Sequence, residues 1–346
     1  MHSHTGHLEK HKKKNMNKNK TPVASWLDYD FFAEEQKPIK CLTVILRTVG
    51  CRWRKCTPCG YWHESADVTQ ENILTQLELS LRNSPEEDFI LKFFTSGSFL
   101  DEREISSDTR KEIAEVVKKR NGIKKLIVET RPEFVSEDKV KDLKNVEHLE
   151  VAIGLETAND FIRSNYINKG FSFDDYRTAS KLVNECGATV KTYLLLKPPF
   201  LSEKRAIEDV IKSAELVAPY SSTISLNLCN VQKYTRLEEL WKRKYYRPPW
   251  LWSAVEAIKE IKKRDEKVVV MSDPVGAGYI RGPHNCGKCD FMVKEAIKKF
   301  NVTQDLSVLE IGEIDCECKE VWHALLKFDD FLFGCDNFLP RFRFSF

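Results

Sequence analysis

The stretch Leu42-Thr43-Val44-Ile45-Leu46-Arg47, followed closely by Gly50-Cys51-Arg52-Trp53-Arg54-Lys55-Cys56-Thr57-Pro58-Cys59-Gly60-Tyr61, decides the reading. The first run is short, apolar and β-branched, the pattern of a buried strand. The second places three thiols, Cys51, Cys56 and Cys59, on the loop that leaves the strand's C-terminal end. A cubane iron–sulfur cluster takes one thiolate per iron. Three local thiols leave one iron open to bind and activate a small molecule. Structural zinc takes four ligands, and His63 has the spacing to be the fourth. Cys41 is placed before the strand, about 20 Å from the trio at about 3.3 Å per residue, which removes it from either set. From spacing alone a three-thiol cluster, a zinc site and a redox group all stay open.

Outward from that loop the chain alternates between apolar runs and helical patterns. Strands are expected at 89–94, 126–128, 148–153, 190–196 and 224–228, with a later one at 268–271. Helices are expected at 69–81, 108–120, 174–185, 203–217, 236–244 and 254–263, from apolar residues at helical spacing and from stops such as Asn121-Gly122 and Gly187. Six βα units in series predict an α/β fold with a parallel sheet, either doubly wound or a full or partial (β/α)6 TIM-like barrel. Both put ligands at the C-terminal strand ends. Those ends are polar: Ser96-Gly97-Ser98 after the second strand, Glu129 at the third, Glu156 at the fourth. Asp101, Arg131 and Asn227 are further strand-end groups suited to substrate contact.

The 346-residue chain is 42% hydrophobic and 31% charged, enough for one large domain with a small appendage. No apolar run reaches the roughly 18–20 residues of a membrane span, and the start of the chain has no apolar signal-peptide core. Eleven cysteines, an odd number with seven in two tight groups, suggest metal in a reducing, cytoplasmic setting rather than secreted disulfides. Of the net charge of +3, residues 1–20 carry +5 from six Lys and one Glu, which leaves the rest at −2. Bulk charge therefore gives no argument for a nucleic-acid partner, and a local patch is needed. Residues 1–20 read as a disordered basic, His-rich tail, 21–233 as the barrel and 234–346 as an extension.

The extension holds two features. Lys242, Arg243, Lys244 and Arg247 lie among Tyr245, Tyr246, Trp250 and Trp252. Either this segment contacts phosphates and stacks on bases, or it is a Pro-rich loop packed on the barrel; Trp250 and Trp252 favour packing. Farther on, Cys286 and Cys289 pair with Cys316 and Cys318 as a four-thiolate set. Structural zinc is expected there, with a second iron–sulfur cluster as the rival and His284 as a substitute ligand. The glycines of 273–279 lack the Lys-Ser/Thr of a P-loop. Cys41, Cys186, Cys229 and Cys335 read as buried fillers.

The three-cysteine loop after the first strand, with Gly97-Ser98-Phe99, Glu129 and Glu156, resembles the radical SAM superfamily. Its usual spacing is CxxxCxxC, and this chain carries one residue more between the first two cysteines; Pro58 stands where an aromatic residue is usual. Over most of 26–340 the chain is similar to the archaeosine-forming radical SAM enzymes (RaSEA), relatives of the Elongator catalytic subunit. Val44 to Cys51, Cys59-Gly60-Tyr61, Ser96 to Phe99, Glu129 to Glu133 and Arg247 to Ser253 carry that likeness. The resemblance implies a [4Fe-4S] cluster on Cys51, Cys56 and Cys59, and S-adenosyl-L-methionine bound near Tyr61, Ser96, Gly97, Ser98, Glu129 and Glu156. It also implies a lyase that cleaves the lysine C–N bond of a lysine–7-deazaguanine adduct in the D-loop of archaeal tRNA, leaving archaeosine. Its partners would be tRNA, an electron donor and the lysine transferase that makes the adduct. The alternatives are another radical SAM enzyme, on tRNA or a small molecule, and a non-enzymatic zinc-binding RNA module.

Overall fold

The computed structural model describes residues 18–310 and 316–332. Residues 1–17 of the expected tail and Cys335 fall outside the described residues. Lys18–Lys20 belong to the folded body: the Asn19 side chain donates to the Asp67 carbonyl at 2.7 Å, and its own carbonyl accepts from Gln76 at 2.9 Å.

The chain forms two compact units. The first comprises residues up to Arg54, Tyr61–Gly154 and Thr178–Val190; the second comprises Lys55–Gly60, Leu155–Arg177 and residues from Lys191 on. In the first unit the strands run in sequence order. β1 (Ala24–Phe32) is antiparallel to β2 (Lys37–Ile45). β3 (Phe89–Phe94), β4 (Ile123–Thr130) and β5 (Leu149–Glu156) then follow, with β2 to β5 parallel. Helices α1 (Gln70–Leu81), α2 (Ser107–Lys119) and the short α3 (Glu137–Lys141) connect them. A parallel strand covered on both faces reads as a nearly continuous apolar run, and β3 comes close: Phe89, Ile90, Leu91 and Phe93 are buried and only Lys92 interrupts them.

β2 begins earlier than expected, so Cys41 lies inside the strand and is buried rather than preceding it. β1 was not expected. It is largely exposed, and Asp28 and Asp30 interrupt its apolar residues, which hides its strand pattern. Its inward Asp30 pairs with Lys92 of β3 at 2.5 Å, and Lys125 of β4 reaches Glu34 at 2.7 Å and Glu150 at 3.8 Å. The first unit thus encloses paired charges instead of a wholly apolar interior.

The second unit holds α5 (Glu203–Val217), α6 (Arg236–Lys242), α7 (Leu251–Arg264), α8 (Asp290–Thr303) and α9 (Cys318–Leu332). The helix before them, α4 (Phe173–Glu185), has its first residues in this unit and the remainder in the first. The unit's strands are β6 (Thr189–Leu196), β7 (Thr223–Leu228) and β8 (Val269–Met271), parallel and in order. α5 matches its expected bounds: Ser202 marks its start by accepting from the Arg205 N–H at 3.3 Å, a cap worth about 1 kcal/mol. α8 and α9 were not anticipated. The architecture is the expected one, an α/β half-barrel of successive βα units with a C-terminal cysteine cluster. Cys229 is buried as expected; Cys186, at the end of α4, is only partly covered.

Candidate active site and metal centres

In the first unit the loop after β3 closes on the loop after β2. A Cβ on Gly97 would lie 2.7 Å from both the Cα and the N of Cys51, and 1.9 Å from Oε1 of Glu104. Only glycine permits that approach. Glu104, 1% exposed, joins the two loops: Oε2 accepts from the Thr48 hydroxyl at 2.6 Å, and Oε1 from the Ser98 N–H at 2.6 Å. The Thr48 hydroxyl in turn accepts from the Gly50 N–H at 3.1 Å. Burial pushes the Glu104 carboxyl up to about 7 against those hydrogen bonds. No motif in the sequence marks Glu104, so sequence reasoning missed it.

The rest of this loop is fixed from β4. Oε1 of Glu129 accepts from the Thr95 N–H at 2.9 Å, its backbone carbonyl accepts from Phe99 at 2.8 Å, and the Ser98 hydroxyl accepts from the Arg131 N–H at 3.0 Å. Ser96 and Ser98 are buried, whereas Tyr61 is 56% exposed. Arg54, in the left-handed region at φ 51°, donates to the carbonyls of Cys51 and Val49 at 2.7 and 2.8 Å and so curls the cysteine loop. Asp101 is buried and paired with Arg52; Arg131 is paired with Glu133. His63, the zinc alternative, stacks on Trp62.

In the second unit Cys56 and Cys59 share one turn, closed by the Cys59 N–H to the Cys56 carbonyl at 3.2 Å. That turn is bolted down on both sides. The Thr57 N–H donates to Ile167 O at 2.8 Å, the Thr57 carbonyl accepts from Leu237 at 3.2 Å, and the Gly60 N–H donates to Gln232 Oε1 at 2.5 Å. All three thiol-bearing residues, Cys51, Cys56 and Cys59, are half-buried. Glu156 ends β5 at φ 71° and pairs with Lys169 at 2.5 Å; Lys197 leaves β6 at φ 61°. Left-handed backbone in non-glycine residues is strained and gathers at functional sites. Lys197 pairs with the buried Glu203 at 2.5 Å, which also accepts from the Trp250 N–H and the Ser253 hydroxyl, each at 2.7 Å. Asn227 is half-buried, its Oδ1 3.4 Å from the Ser225 hydroxyl.

Among the described residues, one group of metal-ligating atoms lies within reach of a single ion: Cys286, Cys289, Cys316 and Cys318. Their sulfurs are 3.4 to 4.0 Å apart along the cluster's edges. Zinc–sulfur bonds of about 2.3 Å in a tetrahedron place sulfurs about 3.8 Å apart. Neighbours orient the thiols: the Asn285 amide donates to Cys289 at 3.2 Å, and the Trp252 indole to Cys318 at 3.3 Å. Although burial works the other way, N–H groups of Lys288 and Cys289 hold the Cys286 thiol down to about 7. His284, the expected substitute, stands outside this group, with Nδ1 2.8 Å from the Gly282 carbonyl. The glycines of 273–279 serve a tight fold: a Cβ on Gly282 would sit 2.0 Å from the Gly276 carbonyl.

The basic–aromatic segment divides. Trp250 and Trp252 are buried, as is Tyr246, whose hydroxyl donates to Lys197 O at 2.8 Å. Arg247 lies over the Trp250 ring at 4.2 Å and donates to the His284 carbonyl at 2.7 Å, so it is spent on packing. Lys242, Arg243, Lys244 and Tyr245 are exposed.

Residues 45–212 match the model of the radical SAM superfamily. The chain is 45% identical to archaeosine synthase subunit beta of Methanosarcina acetivorans, over 90% of this chain and 92% of that protein. It is 43% identical to archaeosine synthase subunit beta of Thermococcus kodakarensis, over 84% and 93%. Among solved structures, a queuine lyase from Clostridium spiroforme bound to SAM and queuine is similar at 25% identity and a TM-score of 0.46, covering 62% of this chain and 86% of that one. The chain belongs to the radical SAM superfamily and, within it, to the family of archaeosine synthase subunit beta.

Proposed function

We propose that this chain is the radical SAM enzyme that forms archaeosine in tRNA, as a lyase cleaving the lysine C–N bond of a lysine–7-deazaguanine adduct. One observation carries the reading: Gly97 packs against the backbone of Cys51 in a chain 45% identical to archaeosine synthase subunit beta. In this reading Cys51, Cys56 and Cys59 hold a [4Fe-4S] cluster. Their half-buried thiols on backbone-clamped loops, one beside a glycine cradle, suit such a group. When bound and reduced, such a cluster would supply the electron for cleaving S-adenosyl-L-methionine, the chemistry needed to take an unacidic hydrogen beside nitrogen.

The protein's own part is positioning. Glu104 and Arg131 set the Ser96-Gly97-Ser98 loop for the methionyl amine. Glu129, steadied by the Thr95 N–H, and Glu156 offer carboxylates to amine and ribose, and Tyr61 offers a ring to the adenine. Phe99 and Leu100, fully buried behind the loop, keep water from it. Residues 21–233 carry the chemistry; the extension from 234 carries a structural zinc on Cys286, Cys289, Cys316 and Cys318. The sulfur spacing supports one tetrahedral ion over a cluster. The relatives' designation as a subunit supports a working partnership with the lysine transferase, in the cytoplasm. No helix of the described residues is long and apolar enough to cross a membrane.

Anaerobically reconstituted protein with reductant and adduct-bearing tRNA should release 5′-deoxyadenosine and yield archaeosine by mass spectrometry. Cluster-loaded protein that binds S-adenosyl-L-methionine but releases no 5′-deoxyadenosine would overturn the reading.

A further inference from the structure

We infer that the surface of α6 and its two ends, Lys233–Tyr245, is where RNA is held, with Tyr234 and Tyr245 stacking on unpaired bases and the adjoining cations on phosphates. The inference rests on the reading of the substrate as tRNA and names its contact surface. Tyr234 is 77% exposed and Tyr245 71% exposed, one just before α6 and one just after it. Both rings stand out into solvent, whereas the neighbouring aromatics Tyr246, Trp250 and Trp252 fill the interior.

The display is rigid. Tyr234 and Lys244 both take left-handed backbone, at φ 62° each. Glu238 accepts from the Tyr234 N–H at 2.8 Å and binds Arg281 at 2.8 Å, while the Tyr245 N–H donates to the Leu240 carbonyl at 2.9 Å. With the backbone fixed in this way, stacking orders only the rings themselves.

The charge suits a polyanion. Lys242, Arg243 and Lys244 are exposed in succession, and Lys233 and Arg236 flank Tyr234. Of the two acidic residues in the segment, Glu238 is buried and paired with Arg281 at 2.8 Å and more loosely with Lys242 at 3.5 Å, which leaves Glu239 as the exposed one. Aromatic faces beside a run of cations are the sequence-tolerant means of gripping single-stranded loops.

Placement adds a second argument. The segment is tied to the Cys56–Cys59 turn within the same unit, through Gln232 to Gly60 and Leu237 to Thr57. The surface that grips the RNA is thus anchored to the turn that carries two of the three thiols.

The test measures binding of an unmodified tRNA transcript to the full-length, metal-loaded chain across a salt series. Lys242→Glu/Arg243→Glu/Lys244→Glu should weaken binding at least tenfold. It should also lower the log–log salt slope by about 2, at roughly 0.7 per single-strand phosphate contact. Tyr245→Ala should weaken binding roughly five- to hundredfold with the slope unchanged, because stacking releases no counterions. Lys212→Glu, on the exposed side of α5, serves as the control for general charge, and thermal melting of each variant excludes misfolding. Affinities within twofold of wild type for both test variants, or an equal loss in the control, would overturn the assignment. So would variants that keep tRNA affinity but no longer co-elute with a transferase subunit, since the patch would then be a protein contact. A wild-type chain that binds no tRNA would sink the functional reading itself, which separates the two failures.

Discussion

Gly97 is a glycine because two other groups occupy the place of its side chain. The Cys51 backbone at 2.7 Å can shift only by moving the cysteine loop, and the Glu104 carboxylate at 1.9 Å is held by Thr48 and Ser98. Gly97→Ala should therefore push the two loops apart. Equilibrium dialysis should show affinity for S-adenosyl-L-methionine falling at least tenfold, and the electron paramagnetic resonance change on adding it to the reduced protein should shrink, while iron content stays near wild type. Normal affinity would mean that this loop does not receive the cofactor. That Gly97, Ser98 and Glu129 stand at strand ends, where parallel α/β folds bind ligands, was legible in the sequence. Glu104 was not, since its partners come from loops far apart in the chain and no spacing rule connects them. Arg247 misled for the opposite reason: a basic residue among aromatics reads as a surface group, yet here Trp250 and three backbone carbonyls cover it. A guanidinium stem packs as readily as it solvates, and sequence alone does not choose.

Elements repeat the pattern. α5 was readable to the residue because Ser202 caps it and its apolar residues keep helical spacing. β1 was not, because an edge strand with Asp28 and Asp30 lacks the apolar run that marks its neighbours, and its role as Lys92's partner exists only after pairing. α5 also carries a testable charge. Asp209 is mostly covered, and its Oδ1 accepts from the Thr157 hydroxyl, just past β5, at 2.9 Å. Burial raises its carboxyl from an ordinary 3.8 to about 6 against the pull of Thr157 and Arg163. A carboxyl with a raised folded pKa stabilises fully below its unfolded pKa and loses that contribution as pH rises through the folded one. Asp209 should therefore cost stability progressively between about pH 4 and 6, on the order of 3 kcal/mol at most, at about 1.4 kcal/mol per pKa step. Asp209→Asn keeps the acceptor for Thr157 and removes the titration. The melting temperature of the variant relative to wild type should rise by several °C from pH 4 to pH 7. A difference independent of pH would show that Asp209 does not titrate in that window.

At the scale of the molecule, the alternation of apolar runs and amphipathic helices was enough for the fold class, because strands buried on both faces have little choice of composition. The alternation does not show which metal each thiol group takes, and the zinc proposed for the C-terminal set rests on its sulfur spacing. Sulfurs 3.4 to 4.0 Å apart at Cys286, Cys289, Cys316 and Cys318 match the edges of one zinc tetrahedron. A cubane, with its thiolates on separate iron corners, holds the sulfurs farther apart than a single ion does. The set joins the start of α9 to the turn before α8, and Trp252 of α7 donates into it, so its metal should contribute to folding as structural zinc does elsewhere. Metal analysis of anaerobically purified chain should give about four irons and one zinc. Cys318→Ser should lose the zinc and melt about 10 °C lower, a loss of a few kcal/mol at 2–4 °C each for a domain of this size, while keeping its iron. Cys56→Ser should lose the iron and keep both the zinc and most of the melting temperature, because its turn is held by backbone bonds to Ile167 and Leu237 that do not involve the thiol. If Cys318→Ser instead lowers iron and leaves zinc at wild-type level, the C-terminal thiolates hold a second cluster, and the assignment of zinc to them is wrong.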